Sequence, residues 1–220
     1  MTHSPAAPET ASSGAQTLRD ALRQRLTPAH DALDRAFSAL DLGIDADYAV
    51  FLRAHRQALG RMQAATDTDH APEQMAGSAL IRRLLAALEA DLAPFTGHAL
   101  CGDAPQSQNT APLRLHPLAR DYVLFGSRLG TQVLARRRRE ALVQQGRDAV
   151  PSQYLEHVFD PRLWQNYVHQ TSQISVENPQ TESIIADAEQ CFEWFALALS
   201  QHLSSPAAPM HPHRAEKAPL

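Results

Sequence analysis

The sequence DYVLFGSRLGTQVLARRRR, residues 121–139, decides the fold class. Its apolar side chains recur at steps of three and four residues, the period of an amphipathic helix that buries one face. The stretch also holds Gly126 and Gly130, four residues apart and therefore on one helix face. Each glycine should cost about 1 kcal/mol relative to alanine inside a helix. Two alternatives would compensate: close packing of a second helix, which we favour, or close approach of a flat ligand.

The same periodicity recurs along the chain and predicts an all-α protein of about seven helices. Helices are expected at 17–40, 45–65, 78–93 and 115–145, and two more should begin after Asp160-Pro161 and Asn178-Pro179. Thr27-Pro28 predicts a kink or a new start in the first helix, because proline removes a backbone hydrogen bond. Gly146 is expected to end the helix that carries the glycine pair.

The composition indicates one domain with disordered ends. The chain has 220 residues with 44% hydrophobic content, which is enough for one domain with a core. Residues 1–16 and 204–220 are rich in Pro, Ala, Ser and His, so we expect them to form disordered tails. The helical domain should therefore span residues 17–203, with an exposed loop at 96–112.

Several function classes find no support in the sequence. The net charge of −4 gives no reason to expect a nucleic-acid partner, and no apolar stretch is long enough to predict a membrane span. The chain start lacks the pattern of a secretion signal, so a cytoplasmic location is the expectation. Cys101 and Cys191 form no CxxC pair, and neither has the local signature of an enzyme nucleophile.

Among the eleven histidines, His30 stands out through its neighbours. Arg23 precedes it by seven residues and Asp34 follows it by four, and both spacings return to one helix face. A cation that binds a ligand carboxylate and an acid that orients the ring are typical neighbours of an axial metal ligand. Taken alone, His30 is more often a hydrogen-bonded histidine at the edge of a core, and His55 has the same standing.

Two segments resemble the haem oxygenases, most closely the bacterial, biliverdin-forming kind associated with phytochrome genes. LRQRLTPAHDALDRAF, residues 22–37, resembles the early helix of that family, with His30 at the position of the proximal histidine. GSRLGTQVLARR, residues 126–137, resembles its glycine-containing distal helix, and DYAVFLRAH, residues 47–55, is similar to its second helix. The similarity spans roughly residues 17–203 and implies a single-domain, haem-oxygenase-like helical bundle.

The resemblance implies that haem is both cofactor and substrate. Dioxygen and electrons would convert it to biliverdin, carbon monoxide and ferrous iron. His30 would be the iron ligand. The residues that the resemblance assigns to haem binding are Arg23, His30, Asp34, Tyr122 and Thr131, and those that it assigns to catalysis on the opposite face are Gly126, Ser127 and Gly130.

The sequence departs from the family at several positions. Thr131 stands where relatives usually have a smaller residue, so either haem would lie less close to the helix there or the hydroxyl bonds back to its own helix. Phe125 replaces a glutamate that is common in close relatives. The last helix lacks the basic residues that contact haem propionates in some members, so Arg19, Arg23 and Tyr122 would take that role.

The resemblance also implies partners. An electron donor such as a ferredoxin, a flavodoxin or a reductase is needed, and residues 136–139 offer four arginines that such an acidic partner would contact. A solvated helix end whose cations favour the helix dipole is the plainer interpretation of those arginines. A bacteriophytochrome is the expected receiver of biliverdin.

Three alternatives stay open. The first is a binding protein of the same fold that holds haem, or a related tetrapyrrole, without opening it. The second is a thiaminase-like enzyme of similar helical architecture, although that class depends on a cysteine nucleophile. The third is a helical interaction module without an active site.

Overall fold

The computed structural model describes residues 16–66, 75–95 and 114–204. Helices make up 76% of these residues and no strand occurs among them, which confirms the all-α prediction. The helices are α1 (Leu18–Ser38), α2 (Asp45–Ala64), α3 (Met75–Leu92), α4 (Pro117–Arg128), α5 (Thr131–Gln144), α6 (Pro161–Ser172) and α7 (Thr181–Ser204). The described helices number seven, or six if α4 and α5 are counted as one broken helix.

The predicted tails and the predicted loop at 96–112 lie outside the described residues, except for Gln16 and Ser204 at their edges. Cys101 lies outside them too. No described helix combines the length and the apolar character that crossing a bilayer requires.

Helix α7 forms the centre of the bundle. Helices α1, α2 and α4 pack against it, and α3 packs on the outer side of α2. The predicted apolar side of α7 is buried, and its members are Ile184, Ile185, Ala188, Cys191, Phe192, Phe195 and Leu199. Full burial of each large apolar side chain stabilises the fold by roughly 1.5 to 3 kcal/mol relative to exposure. The stability of the bundle therefore depends mainly on the packing of α1, α2 and α4 against α7.

Local signals set most helix ends where the sequence predicted them. The Asp160 side chain accepts a hydrogen bond from the Arg162 backbone N–H, and Pro161 takes the first position of α6. Gly146 adopts a φ of 68° just beyond α5, a left-handed conformation that glycine tolerates. The Asn178 side chain forms a turn by accepting from the Gln180 N–H, so α7 begins two residues later than Asn178-Pro179 suggested.

The prediction of one continuous helix at 115–145 is wrong. The helix breaks at Leu129 and Gly130, where the Leu129 N–H donates to the Gly126 carbonyl and the Val133 N–H donates to the Gly130 carbonyl. Both bonds span three residues rather than four, so the α-helical ladder is interrupted at the second glycine. The low helix propensity of glycine explains why the break lies there.

Two other helix predictions need correction. Helix α1 continues through Pro28 without a new start, and the Thr27 hydroxyl donates to the Arg23 carbonyl at 2.6 Å one turn earlier. Helix α3 begins at Met75 rather than near residue 78. It therefore includes Gly77, which the sequence had suggested was part of a loop.

A buried ion pair fixes α4 against α3. The Arg120 Nε donates to the Asp121 Oδ1 at 2.7 Å, and the Arg120 Nη1 donates to the Ser78 hydroxyl at 2.8 Å. Burial raises the pKa of the Asp121 carboxyl, while the adjacent guanidinium opposes that rise. A Cβ on Gly77 would stand 1.9 Å from the Asp121 Oδ1, so the glycine leaves the space that the ion pair fills.

Candidate functional site

His30 lies on the surface of α1 with a carboxylate beside its ring. The side chain is 56% exposed, and its Nδ1 lies 3.4 Å from the Asp34 Oδ2 and 3.8 Å from the Asp31 Oδ1. The ring edge faces Phe192 of α7, with centroids 6.1 Å apart. Among the described residues no hydrogen bond involves the His30 Nε2. The structure therefore brings His30 and Asp34 together and leaves Nε2 for another partner.

Two arginines of α1 come close to a tyrosine of α4. Arg19 and Arg23 are exposed, and their positive charges act on the Tyr122 phenol. Burial raises the pKa of Tyr122, and the two guanidinium groups partly offset that rise. The three residues that the sequence assigned to carboxylate binding therefore share one neighbourhood, although they come from two helices.

The two glycines have different surroundings, because Gly130 faces open space and Gly126 has one ring of a neighbouring helix beside it. A Cβ on Gly126 would meet only the Trp164 ring, at an ordinary contact distance of 3.9 Å, and a Cβ on Gly130 would meet nothing within 4 Å. Leu129 and Val133 beside them are 54% and 52% exposed. The favoured alternative from the sequence, close helix packing, is therefore wrong for Gly130, whereas the Trp164 ring of helix α6 packs beside Gly126. We define Gly126, Leu129, Gly130 and Val133 as the open segment.

An aromatic group that the sequence did not single out borders the open segment. Trp164 of α6 contacts the Gly126 position, stacks on Tyr167 with ring centroids 5.6 Å apart, and lies 6.3 Å from the Tyr122 ring. The spacing of Trp164 and Tyr167 was the available signal, but it does not distinguish a core from the wall of a site.

Hydrogen bonds and burial define the side-chain positions of three residues near the open segment. The Thr131 hydroxyl is buried and donates to the Arg128 carbonyl at 2.9 Å, so it bonds back to the backbone and does not reach the exposed surface. Phe125 is buried against Phe159 and Tyr167. Ser127 is exposed, and its hydroxyl donates to the Leu124 carbonyl at 2.8 Å. Its oxygen can still accept a hydrogen bond.

The four arginines at residues 136–139 do not form one surface cluster. Arg138 is buried, covers the Tyr48 ring at 3.5 Å and donates to the Leu42 carbonyl. Arg136 is exposed and pairs with Glu140 at 2.7 Å, while Arg139 lies 3.7 Å from Glu156. Arg137 is exposed. Three of the four side chains therefore remain on the surface where a partner can contact them.

His55 lies at the partly buried edge of the core, and Cys191 lies inside it. The His55 Nδ1 lies 2.8 Å from the Phe51 carbonyl, and burial lowers the pKa of the ring to about 4. His55 is therefore the hydrogen-bonded core-edge histidine that the sequence suggested. Burial raises the pKa of the Cys191 thiol to about 12, which leaves it protonated and unsuited to a nucleophilic role.

No group of three or more His, Cys, Asp or Glu residues that can hold a metal ion exists among residues 16–66, 75–95 and 114–204. Free metal ions need several protein ligands, whereas a metal inside a macrocycle needs only an axial one. His30 is suited to that second case.

No family model, curated protein or solved structure gave a match to the chain.

Proposed function

We propose that the protein is a haem oxygenase that cleaves haem with dioxygen and electrons to biliverdin, carbon monoxide and ferrous iron. The observation that carries the proposal is the open segment, an apolar, glycine-containing stretch that is half-exposed at Leu129 and Val133 and uncovered at Gly130. It belongs to a bundle whose α1 exposes a carboxylate-flanked histidine. Bound haem would supply the iron that activates dioxygen and the ring that is oxidised. The described residues fit that group in three respects.

The first respect is the axial ligand. The Nε2 of His30 has the free lone pair that iron requires when Nδ1 carries the proton. Asp34 lies beside Nδ1, so it would hold the ring in this tautomer and increase the basicity of Nε2.

The second respect is charge. Haem carries two carboxylates, and Arg19, Arg23 and Tyr122 offer two cations and a phenol in one neighbourhood. Guanidinium groups bind carboxylates through short charge-assisted hydrogen bonds. These three residues would hold the haem carboxylates.

The third respect is shape. Gly126 and Gly130 carry no side chain, so dioxygen would have room between the backbone and the ring plane. Leu129 and Val133 would cover apolar ring surface and exclude bulk water. The Ser127 oxygen would accept a hydrogen bond from a water molecule and hold it near the reacting face.

Electrons must come from a partner, and the exposed Arg136, Arg137 and Arg139 would attract an acidic donor such as a ferredoxin, a flavodoxin or a reductase. A bacteriophytochrome would be the receiver of the biliverdin product.

One observation favours the alternative function, a protein that binds haem or a related tetrapyrrole without cleaving it. The hydroxyl hydrogen of Ser127 is already donated to the Leu124 carbonyl, so Ser127 has no free proton to offer to a ligand. The enzyme would then depend on water for proton delivery.

Haem titration followed by reductant and oxygen separates these functions. Loss of the haem band with the appearance of a bilin band supports the oxygenase, a persistent complex supports the binder, and the absence of a haem complex contradicts both.

In His30→Ala we expect loss of the histidine-ligated spectrum and a fall in turnover of more than about 100-fold, because a metal ligand matters more than its supporting residues. His169→Ala, an exposed histidine on α6, is the matched control. An unchanged spectrum in His30→Ala would overturn the ligand assignment.

A further inference from the structure

Arg128, the last residue of α4, is a buried cation with unused donors. It is 3% exposed, and its Nη2 donates to the Tyr154 carbonyl at 2.8 Å. The guanidinium carbon lies 4.9 Å from the centre of the Tyr154 ring. The Nε and Nη1 atoms are buried and have no hydrogen-bond partner.

The positive charge of Arg128 has no counter-charge. No carboxylate within ion-pair distance of it occurs in the part of the chain that the structure describes. Burial lowers the pKa of the guanidinium, but arginine remains protonated in proteins. A buried charge without a partner is strongly unfavourable, and contact with one aromatic ring offsets only part of that cost.

The titratable groups around Arg128 add no negative charge. Burial and then the charge of Arg128 lower the pKa of both His55 and His157, so both rings are neutral at pH 7. The Nδ1 of His157 is also buried without a hydrogen-bond partner. The surroundings of Arg128 therefore have a positive potential and unpaired nitrogen atoms.

We propose that a small monovalent anion of the halide or formate kind binds at Arg128 and supplies this missing charge. One uncompensated cation calls for one negative charge, and the enclosing Tyr154 ring and backbone favour a small ion over a larger one. The helix break at Leu129 and Gly130 directly follows Arg128, and nothing lies within 4 Å of a Cβ position on Gly130. Admission of an ion would require a small shift of this junction, where the α-helical hydrogen-bond pattern is already interrupted.

This anion site is separate from the open segment. Arg128 lies two residues from both Gly126 and Gly130, which places it on the opposite side of the helix. The proposal therefore does not depend on the proposed function. Occupancy would instead stabilise the junction between α4 and α5.

The test compares thermal unfolding in sodium chloride and in sodium gluconate at equal ionic strength. We expect the midpoint of the wild-type protein to rise by several degrees in chloride, because the bound ion stabilises only the folded state. Arg128→Met should lose this difference, whereas Arg137→Met, which removes an exposed arginine, should keep it. Equal midpoints in the two salts for the wild-type protein, or an unchanged difference in Arg128→Met, would overturn the proposal.

A second measurement decides the case if Arg128→Met fails to fold. Crystals of the wild-type protein grown with sodium bromide should show an anomalous peak within hydrogen-bonding distance of the Arg128 Nε or Nη1. Bromide peaks only on the surface would overturn the proposal whatever the variant does.

Discussion

Gly77 and Gly130 show two opposite uses of the same residue. At Gly77 a Cβ would stand 1.9 Å from the Asp121 Oδ1 and 2.6 Å from the Arg120 Nη2, so glycine makes room for a buried ion pair. At Gly130 a Cβ would meet nothing within 4 Å, so glycine leaves space that no protein atom fills. The first position serves packing between α3 and α4, and the second keeps a surface accessible.

The same difference between enclosed and open surroundings separates His55 from His30. Taken one at a time, the two histidines had the same standing in the sequence. His55 is packed against Phe51 and Tyr154, is bonded to a backbone carbonyl and has a pKa of about 4. His30 is more than half exposed and has a carboxylate beside it. A group in the closed interior is used for stability, whereas a group beside open space remains available to a ligand.

The largest effect should come from Gly77→Ala. The new methyl group cannot fit without displacing the Arg120–Asp121 pair, so we expect the free energy of unfolding to fall by about 3 kcal/mol. Chemical denaturation measures this change. A loss below about 1 kcal/mol would show that the ion pair moves easily and that this region is not closed.

The free energy of unfolding should fall at acidic pH because of His55. The folded-state pKa of about 4 lies below the ordinary value of 6.5, so this contribution is fully present above pH 6.5. As the pH falls from 6.5 towards 4, the unfolded chain binds a proton that the folded protein excludes. We expect a loss of roughly 2 kcal/mol over this range.

Denaturation at several pH values measures that loss. His55→Phe should make the curve flatter between pH 6.5 and 4, and His169→Phe, at an exposed position on α6, should leave it unchanged. An identical slope in the wild-type protein and in His55→Phe would contradict the assignment.

The arginines of α5 show the same contrast between enclosed and exposed residues within one short stretch of sequence. Arg138 lies inside and supports Tyr48, whereas Arg136 and Arg137 are exposed. Arg136→Glu combined with Arg137→Glu should slow reduction by a ferredoxin about tenfold at low salt and less at high salt, because exposed charges act mainly on association. Stopped-flow reduction of the haem complex measures this rate.

Arg162→Glu on α6 is the control for charge reversal away from the α5 surface. Reduction rates that do not respond to either salt or these substitutions would remove the docking role and leave a solvated helix end.

The smallest effects on stability are expected where space is open. Gly60→Ala, inside α2 with nothing within 4 Å of the new methyl group, should stabilise the fold by about 1 kcal/mol. Gly130→Ala should change stability by no more than about 0.5 kcal/mol, because the residue already has helical dihedral angles. Of the two variants, only Gly130→Ala should slow the proposed haem cleavage. Equal turnover in both variants would contradict the proposed role of the open segment in catalysis.

Helix periodicity made most of the fold predictable. The apolar stripe of α7 is buried as expected, and Asp160-Pro161 and Gly146 mark helix ends because their capping chemistry depends only on neighbouring residues. The break between α4 and α5 and the passage of α1 through Pro28 were not predictable. In both cases the local signal left two outcomes open, because glycine and proline weaken a helix without always ending it.

The candidate site was predictable only in part. His30 and Asp34 are one helical turn apart, so their proximity follows from the sequence. The proximity of Trp164 to Gly126, and of Arg23 to Tyr122, joins helices that are distant in the chain. No spacing rule connects such residues.

The sequence alone determined the helical class of the protein, most helix ends, the pair His30 and Asp34, and the position of two glycines on one face. These features depend on the 3.6-residue period and on capping groups, which act over a few residues. The tertiary structure alone decided that Gly77 is enclosed and Gly130 open, that Arg138 is buried among exposed neighbours, and that Arg128 has no counter-charge among residues 16–66, 75–95 and 114–204. The physical reason is that burial and charge pairing depend on which distant helices pack together, and the local pattern of a helix does not encode its neighbours.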